Sequence, residues 1–207
     1  MVDGLLRKYR PISDQVDMVE LRLILREFEE ALRANISGDV CELGCYNGTT
    51  SLYLGRLIKA YKSDKRLWLY DSFEGLPEKS SEDEAGLGQE FQAGELKASK
   101  KVLLDEFGRA GLPRPIVRKS WFNNLTLNDM PSEISFAFLD GDYYKSIKDS
   151  FNLISSRLSS RATVVVDDYG NDHLPGAQKA VDEWRCNNKS RIASFREEAS
   201  LAILHMV

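Results

Sequence analysis

Long apolar runs are missing from this chain. Nothing in its 207 residues approaches the run of about 18 apolar residues that a membrane-crossing helix needs. The opening M-V-D-G-L-L-R-K-Y-R has no apolar stretch of signal-peptide length, so export by that route is not expected. Cysteine is sparse and odd in number: Cys41, Cys45 and Cys186 form no C-x-x-C pair, which reads as reduced thiols in a cytoplasmic setting. Histidine occurs only as His173 and His205, too few for a histidine-rich zinc site. A basic block is absent as well. Lys and Arg alternate with Asp and Glu around a net charge of −4, which argues against nucleic acid as the main partner. There is no low-complexity tract and no repeat of about 20 residues or more.

What remains is the composition of an ordinary globular protein, with 43% hydrophobic and 29% charged residues. Residues 1–207 read as one domain. An N-terminal helical extension over 1–36 contains a helix over 14–35, with Val16, Val19, Leu23, Phe28 and Leu32 at helical spacing and Asp14 as its cap. From residue 37 onward strands and helices alternate. Strands are predicted at D-V-C-E-L (39–43), R-L-W-L-Y-D (66–71), P-I-V-R-K (115–119), I-S-F-A-F-L-D (134–140) and A-T-V-V-V-D-D (162–168). Helices fall at 49–61, 99–110, 144–158 and 176–186, and R-I-A-S-F-R and L-A-I-L-H-M close the chain. Alternating elements with continuously apolar strands predict an α/β fold: a doubly wound, mostly parallel, Rossmann-like sheet over 37–207. The short link between the last two strands adds an antiparallel edge strand. Residues 78–96 break this rhythm with a polar, acidic, glycine-bearing stretch, read equally as a lid or a plain mobile loop.

Three places carry chemistry. In E-L-G-C-Y-N-G-T-T (42–50) a strand turns into a helix, and Gly44 and Gly48 allow close backbone approach, as in a nucleotide site. The third glycine of the dinucleotide fingerprint is absent, and so is a phosphate-binding lysine. Acidic Glu42 suits a cation, such as a sulfonium bearing an amino acid. Asp71 ends the second strand, where a carboxylate accepts hydrogen bonds from a ribose diol. The alternative there is a turn cap. The third place is the pair L-D-G-D (139–142) and V-D-D-Y (166–169) at the ends of the fourth and fifth strands. Neighbouring strands lie about 4.8 Å apart, so these carboxylates crowd together unless a divalent cation sits among them. An all-oxygen set favours Mg²⁺. The competing reading makes them helix caps facing water.

These segments, with D-S-F-E-G-L-P (71–77), S-W-F (120–122) and G-A-Q-K-A-V-D-E-W (176–184), resemble the macrocin O-methyltransferase family of class I S-adenosylmethionine-dependent methyltransferases. The resemblance runs from about residue 36 to 186. It implies cofactor contacts across the first loop (Glu42, Gly44, Cys45, Tyr46, Gly48 and Thr49), at Asp71 with Ser72 and Phe73, at Ser120 and Trp121, and at Asp140. It also implies a Mg²⁺ held by Asp140, Asp167 and Asp168. The chain departs from the family pattern at Ser160-Arg161-Ala162, at Cys45-Tyr46-Asn47 and in N-N-L-T-L after Trp121. Those departures leave the acceptor open, because loops contact it.

The expected chemistry is methyl transfer from S-adenosylmethionine to a hydroxyl of a small molecule, a sugar or a natural-product intermediate. The catalytic residues would be Asp140 with Asp142 or His173 as base. Trp121, Tyr143, Tyr144 and Tyr169 are candidates for the acceptor wall. A nicotinamide-dependent oxidoreductase and a catalytically silent metabolite-binding module of the same fold are the rival readings. Association of identical copies stays open.

Overall fold

The computed structural model describes residues 1–13, 15–84 and 91–207. Five strands run in parallel: β1 (Asp39–Leu43), β2 (Leu67–Asp71), β3 (Ile116–Lys119), β4 (Ile134–Leu139) and β5 (Leu158–Val166). β6 (Ile192–Glu198) and β7 (Leu201–Met206) complete a seven-stranded sheet in the order β3-β2-β1-β4-β5-β7-β6. β7 pairs antiparallel with both β5 and β6, so the expected antiparallel pairing falls at this side, with β6 outermost. β1, β4 and the second half of β5 are buried on both faces, hence their mostly apolar sequences.

Among the described residues, six α-helices accompany the sheet: α1 (Val2–Lys8), α2 (Met18–Arg33), α3 (Thr49–Ala60), α4 (Lys100–Arg109), α5 (Tyr144–Ile154) and α6 (Pro175–Asn187). Two cores result. One packs Leu21, Ile24, Leu25 and Phe28 of α2 and Leu54 and Leu57 of α3 against Phe136, Phe138, Val165 and Ile203. The other packs Ile147, Phe151 and Ile154 of α5 and Ala177 and Val181 of α6 against the opposite face of the same strands. Among the described residues, no helix is long and apolar enough to cross a membrane.

Several boundaries differ from the sequence reading for local reasons. α2 begins at Met18, because the Asp17 carboxylate accepts the Val19 and Glu20 amides at 2.7 and 3.1 Å. Asp14, the expected cap, lies outside the described residues. The short α1 went unseen because seven residues carry little periodic signal. α5 stops at Ile154, and Leu158, expected at its end, already pairs with Ile134 in β5. The serines there conceal a strand: Ser159 Oγ donates to the Ser37 and Ile134 carbonyls at 2.8 and 2.9 Å.

α2 is also tied to the far edge of the sheet. The buried Glu27 carboxylate accepts from Arg196 on β6 and makes a 2.8 Å hydrogen bond with His205 Nε2 on β7. His205 Nδ1 in turn lies 2.8 Å from Ser194 Oγ. Burial pushes the Glu27 carboxyl up, but the hydrogen bonds from His205 and Arg196 outweigh it and hold the group below its ordinary value of 4.5. A carboxyl depressed on folding stabilises the folded state above its unfolded pKa, and that contribution disappears as pH falls through the folded value. Glu27→Gln is therefore expected to lower unfolding free energy by about 1–2 kcal/mol at pH 7 and by nearly nothing in strong acid. Urea titrations of both proteins across pH test this. A difference that stays constant with pH would refute the ionic role.

Candidate active site

The loops after β1, β2, β4 and β5 all leave the same end of the sheet. Each strand hands a backbone amide to its neighbour there. Gly44 N donates to Tyr70 O at 2.8 Å, Asp140 N to Leu43 O at 2.8 Å, Asp167 N to Leu139 O at 2.9 Å and Ser120 N to Asp71 O at 2.9 Å. These bonds level the strand ends, so the acidic residue closing each strand arrives at the same height. Gly44 has φ +93°, and a Cβ there would overlap the Asp140 carbonyl oxygen. Its close approach is thus to β4 rather than to a ligand.

The loops enclose a cavity of about 550 Å³. Of the expected cofactor residues, Glu42, Gly44, Cys45, Tyr46, Thr49, Asp71, Ser72, Ser120, Trp121 and Asp140 line it. Gly48 and Phe73 do not. Gly48 starts α3 and faces Leu103, while Phe73 is buried in the core under α3.

Glu42 is 2% exposed, and its carboxylate accepts a hydrogen bond from Ser51 Oγ of α3. Burial pushes its carboxyl up to about 8; the Ser51 hydrogen bond opposes the rise and the Asp71 charge adds to it. Asp71 ties the first two loops together, accepting from Tyr46 N at 2.7 Å and Phe73 N at 2.6 Å. Burial raises its pKa, and those backbone donors partly restore the charged form. Its role as a loop anchor is therefore visible directly. A ribose diol would use the lone pairs that remain.

At the opposite wall, carboxylate oxygens of Asp140, Asp142 and Asp168 lie within 4.8 Å of one another. Asp167 lines the cavity beside them but is not part of this set; its Oδ1 accepts the Asp168 amide at 3.0 Å. Asp142 and Asp168 hold left-handed backbones, φ +58° and +59°, in the turns that follow β4 and β5. Asn171 Nδ2 orients Asp168 at 2.8 Å. Burial, then the charges of Asp167, Asp142 and Asp168, pushes Asp140 well above the ordinary carboxylate value. Burial and Asp168 do the same to Asp142. Burial and Asp168 likewise raise Asp167, whereas Asp168 itself rises to about 6. All four are half-buried on an open cavity wall, so water still relieves part of the repulsion.

His173, expected as a base, is exposed and is not among the cavity-lining residues. Trp121 and Tyr143 line the cavity; Tyr144 and Tyr169 instead sit in the core under α5 and α6, hydrogen-bonded to Glu183 and Asp182. The sequence reading missed Glu20 of α2, which reaches the cavity and adds its charge to those raising Asp167 and Asp168. Ser200, in the β6–β7 turn, donates to the Glu20 carboxylate. A single glutamate on an amphipathic helix carries no motif that could have marked it. Leu76, Phe91, Leu96, Tyr143 and Leu174 form an apolar wall on the side of the acidic cluster.

Comparisons with known proteins identify the family and the fold. The family profile described as macrocin O-methyltransferase (TylF) matches residues 17–194. The chain is 31% identical over 179 residues to the mycinamicin III 3''-O-methyltransferase of Micromonospora griseorubida, covering 82% of this chain and 69% of that protein. It is 30% identical over 164 residues to a tetracenomycin-glycoside 4'-O-methyltransferase of Streptomyces olivaceus, covering 76% of this chain and 61% of the relative. Among solved structures, the O-methyltransferase NovP superposes with a TM-score of 0.79 at 22% identity, over 91% of this chain and 79% of that one. The calicheamicin methyltransferase CalS11 superposes at 0.74 and 19% identity, over 99% and 89% of the two chains. The chain belongs to the macrocin O-methyltransferase family of methyl-transferring enzymes.

Proposed function

We propose that the chain transfers the methyl group of S-adenosylmethionine to a hydroxyl oxygen of a small, sugar-bearing acceptor, with a hard divalent cation held at the acidic cluster. The observation that carries this reading is the convergence of Asp140, Asp142 and Asp168, with Asp167 and Glu20 close by, on the wall of a cavity whose other side is built by Glu42 and Asp71. Family membership and the sugar hydroxyls named for the relatives support the acceptor class.

In this reading the first loop, Asp71, Ser120 and Trp121 bind the cofactor. The cofactor brings an electrophilic methyl on a sulfonium, so the protein has only to orient it and exclude water. The acidic wall fits a cation by donor chemistry, since every group is a carboxylate oxygen, raised in pKa first by burial and then by neighbouring charges that a cation would offset. Such a cation supplies the field that makes a neighbouring hydroxyl more acidic. Asp140 and Asp168 belong to both the geometric set and the set implied by resemblance. The spacing favours Asp142 over Asp167 as the third member. The carboxylate left outside the set stands beside the acceptor position as proton acceptor. Trp121 and the apolar wall around Tyr143 hold the acceptor ring against the cofactor.

Mn²⁺ titration monitored by water-proton relaxation tests the cation. Asp140→Asn and Asp168→Asn are expected to abolish binding, and Asp142→Asn to weaken it more than Asp167→Asn. The reverse order of the last two would return the third position to Asp167. With a pool of small glycosylated acceptors and labelled cofactor, excess EDTA should lower methylation by a factor of about 100 or more. Full activity in EDTA would end the metal reading. Binding without transfer to any acceptor would favour a silent binding module.

Glu42 gives an independent test. A neutral carboxyl with a pKa of about 8 should lose its proton when the positively charged ammonium group of S-adenosylhomocysteine, a net-neutral thioether, binds beside it. Binding lowers that pKa, so protons are released at pH values below about 8, and affinity rises with pH towards that value. Calorimetric titrations at pH 7 in buffers of different ionisation enthalpy should show this release, and Glu42→Gln should abolish it. Heats that do not depend on the buffer in the native protein would exclude this role.

A further inference from the structure

The loop following β2 contains a carboxylate that the proposed chemistry does not use. Asp83 is 1% exposed, yet it belongs to an exposed, acidic segment between Glu78 and Glu84. Its Oδ2 accepts from Ser80 N at 2.9 Å and from Ser80 Oγ, closing a small capping box. Its Oδ1 leaves the loop altogether and accepts the Tyr144 amide at 2.7 Å. Tyr144 is the first residue of α5, whose own preceding residue, Tyr143, provides no side-chain cap. Asp83 is therefore the N-terminal cap of α5, supplied by a segment 61 residues away in sequence.

The same oxygen presses on α6. A Cβ at Gly176, in the first turn of that helix, would overlap Asp83 Oδ1, so glycine there leaves room for the carboxylate. Asp83 thus sits between the N-terminal ends of two helices. Both present positive partial charge, which favours a buried carboxylate between them. Beside it, Lys179 on α6 lies 3.6 Å from Glu82.

What lies immediately before Tyr144 gives this contact its consequence. Asp142, in the acidic cluster, has a left-handed backbone, and Tyr143 forms the apolar wall. The Tyr143 hydroxyl donates to the Phe91 carbonyl, in the returning limb of the loop. That limb closes on the outgoing one through Leu76 N to Glu95 O at 2.8 Å and Gly94 N to Leu76 O at 2.9 Å. Loop and acidic turn are fastened at two points, Asp83 to Tyr144 and Phe91 to Tyr143.

We propose that Asp83 is a positioning residue: by capping α5 from the loop after β2, it couples the docking of that loop to the placement of Asp142 and Tyr143 at the active site. Tyr144 N is fixed by an acceptor that arrives only when the loop is seated. Undocking leaves the first amide of α5 unpaired in a buried position, and the turn bearing Asp142 loses its downstream anchor. This inference rests on the assignment of the acidic cluster to the reaction, and its test is arranged so that the two can fail separately.

Hydrogen exchange of the full-length protein, read at Tyr144–Ile147 and at residues 91–96, is compared for the native protein, Asp83→Ala and Asp83→Asn. Asp83→Ala is expected to speed exchange in both segments by about tenfold or more, because one charged hydrogen bond and its docking contact are lost together. Asparagine retains an acceptor oxygen and should largely restore protection. S-adenosylhomocysteine affinity should stay within about twofold, because Asp83 hydrogen-bonds to Ser80 and Tyr144, neither of which is assigned to the cofactor. Mn²⁺ affinity should fall by about tenfold in Asp83→Ala and recover in Asp83→Asn. Faster exchange confined to residues 78–84, with Tyr144–Ile147 unchanged, would reduce Asp83 to a local loop cap and overturn the proposal. Equal behaviour of the alanine and asparagine variants would also overturn it. If the native protein bound no Mn²⁺, the metal reading would fall, and the exchange pattern alone would decide the coupling. If Asp83→Ala failed to fold, Tyr143→Phe, which removes only the second fastening, should still speed exchange at 91–96 and at Tyr144–Ile147.

Discussion

Repulsion among carboxylates at one end of a parallel sheet is the constraint on which the rest of this molecule depends. Asp140, Asp142, Asp167 and Asp168 are brought together because β4 and β5 are adjacent, parallel and in register to their last residues. Every one of them is pushed towards its neutral form by burial and by its neighbours. Such a group is costly to fold unless something positive resides there in use. Positive charge in the cavity would relieve this crowding. An anionic ligand would add to the repulsion.

The backbone is arranged to maintain this crowding. Gly44 lets the first loop pass against the Asp140 carbonyl, and left-handed turns at Asp142 and Asp168 aim two carboxylates inward. Asp71 binds the amides of two different loops, while Glu20 is brought from α2 and held by Ser200. The core supplies the rigidity. Apolar faces of α2 and α3 on one side, and of α5 and α6 on the other, clamp strands whose ends would otherwise spread apart under like charge.

The acceptor side is built differently. Its apolar wall consists of Leu76, Phe91 and Leu96 from the loop after β2, together with Tyr143 and Leu174 from the loops after β4 and β5. No strand contributes to it. Part of the suspected lid, 85–90, lies outside the described residues. The described remainder is joined to Tyr143 and Tyr144, at the start of α5, through Phe91 and Asp83.

The sequence by itself determined the alternation of strands and helices, the parallel sheet, the first loop at 42–50 and the acidic strand ends. These follow from local periodicity and from short motifs whose residues are neighbours in the chain. It determined neither α1 nor the early start of β5, because seven residues and a serine-rich stretch carry too little periodic signal. Only the tertiary structure decided which carboxylates meet. Asp142 joined the cluster through a left-handed turn, and Asp167 stands beside it while also accepting the neighbouring Asp168 amide. Glu20 arrived from a helix with no motif, and His173 was left on the exposed surface. Asp83 looked like one more acid in a polar loop, and became a helix cap only once α5 was placed beside it. Side-chain direction and long-range capping depend on distances between segments remote in sequence, and those distances are fixed by packing rather than by local spacing.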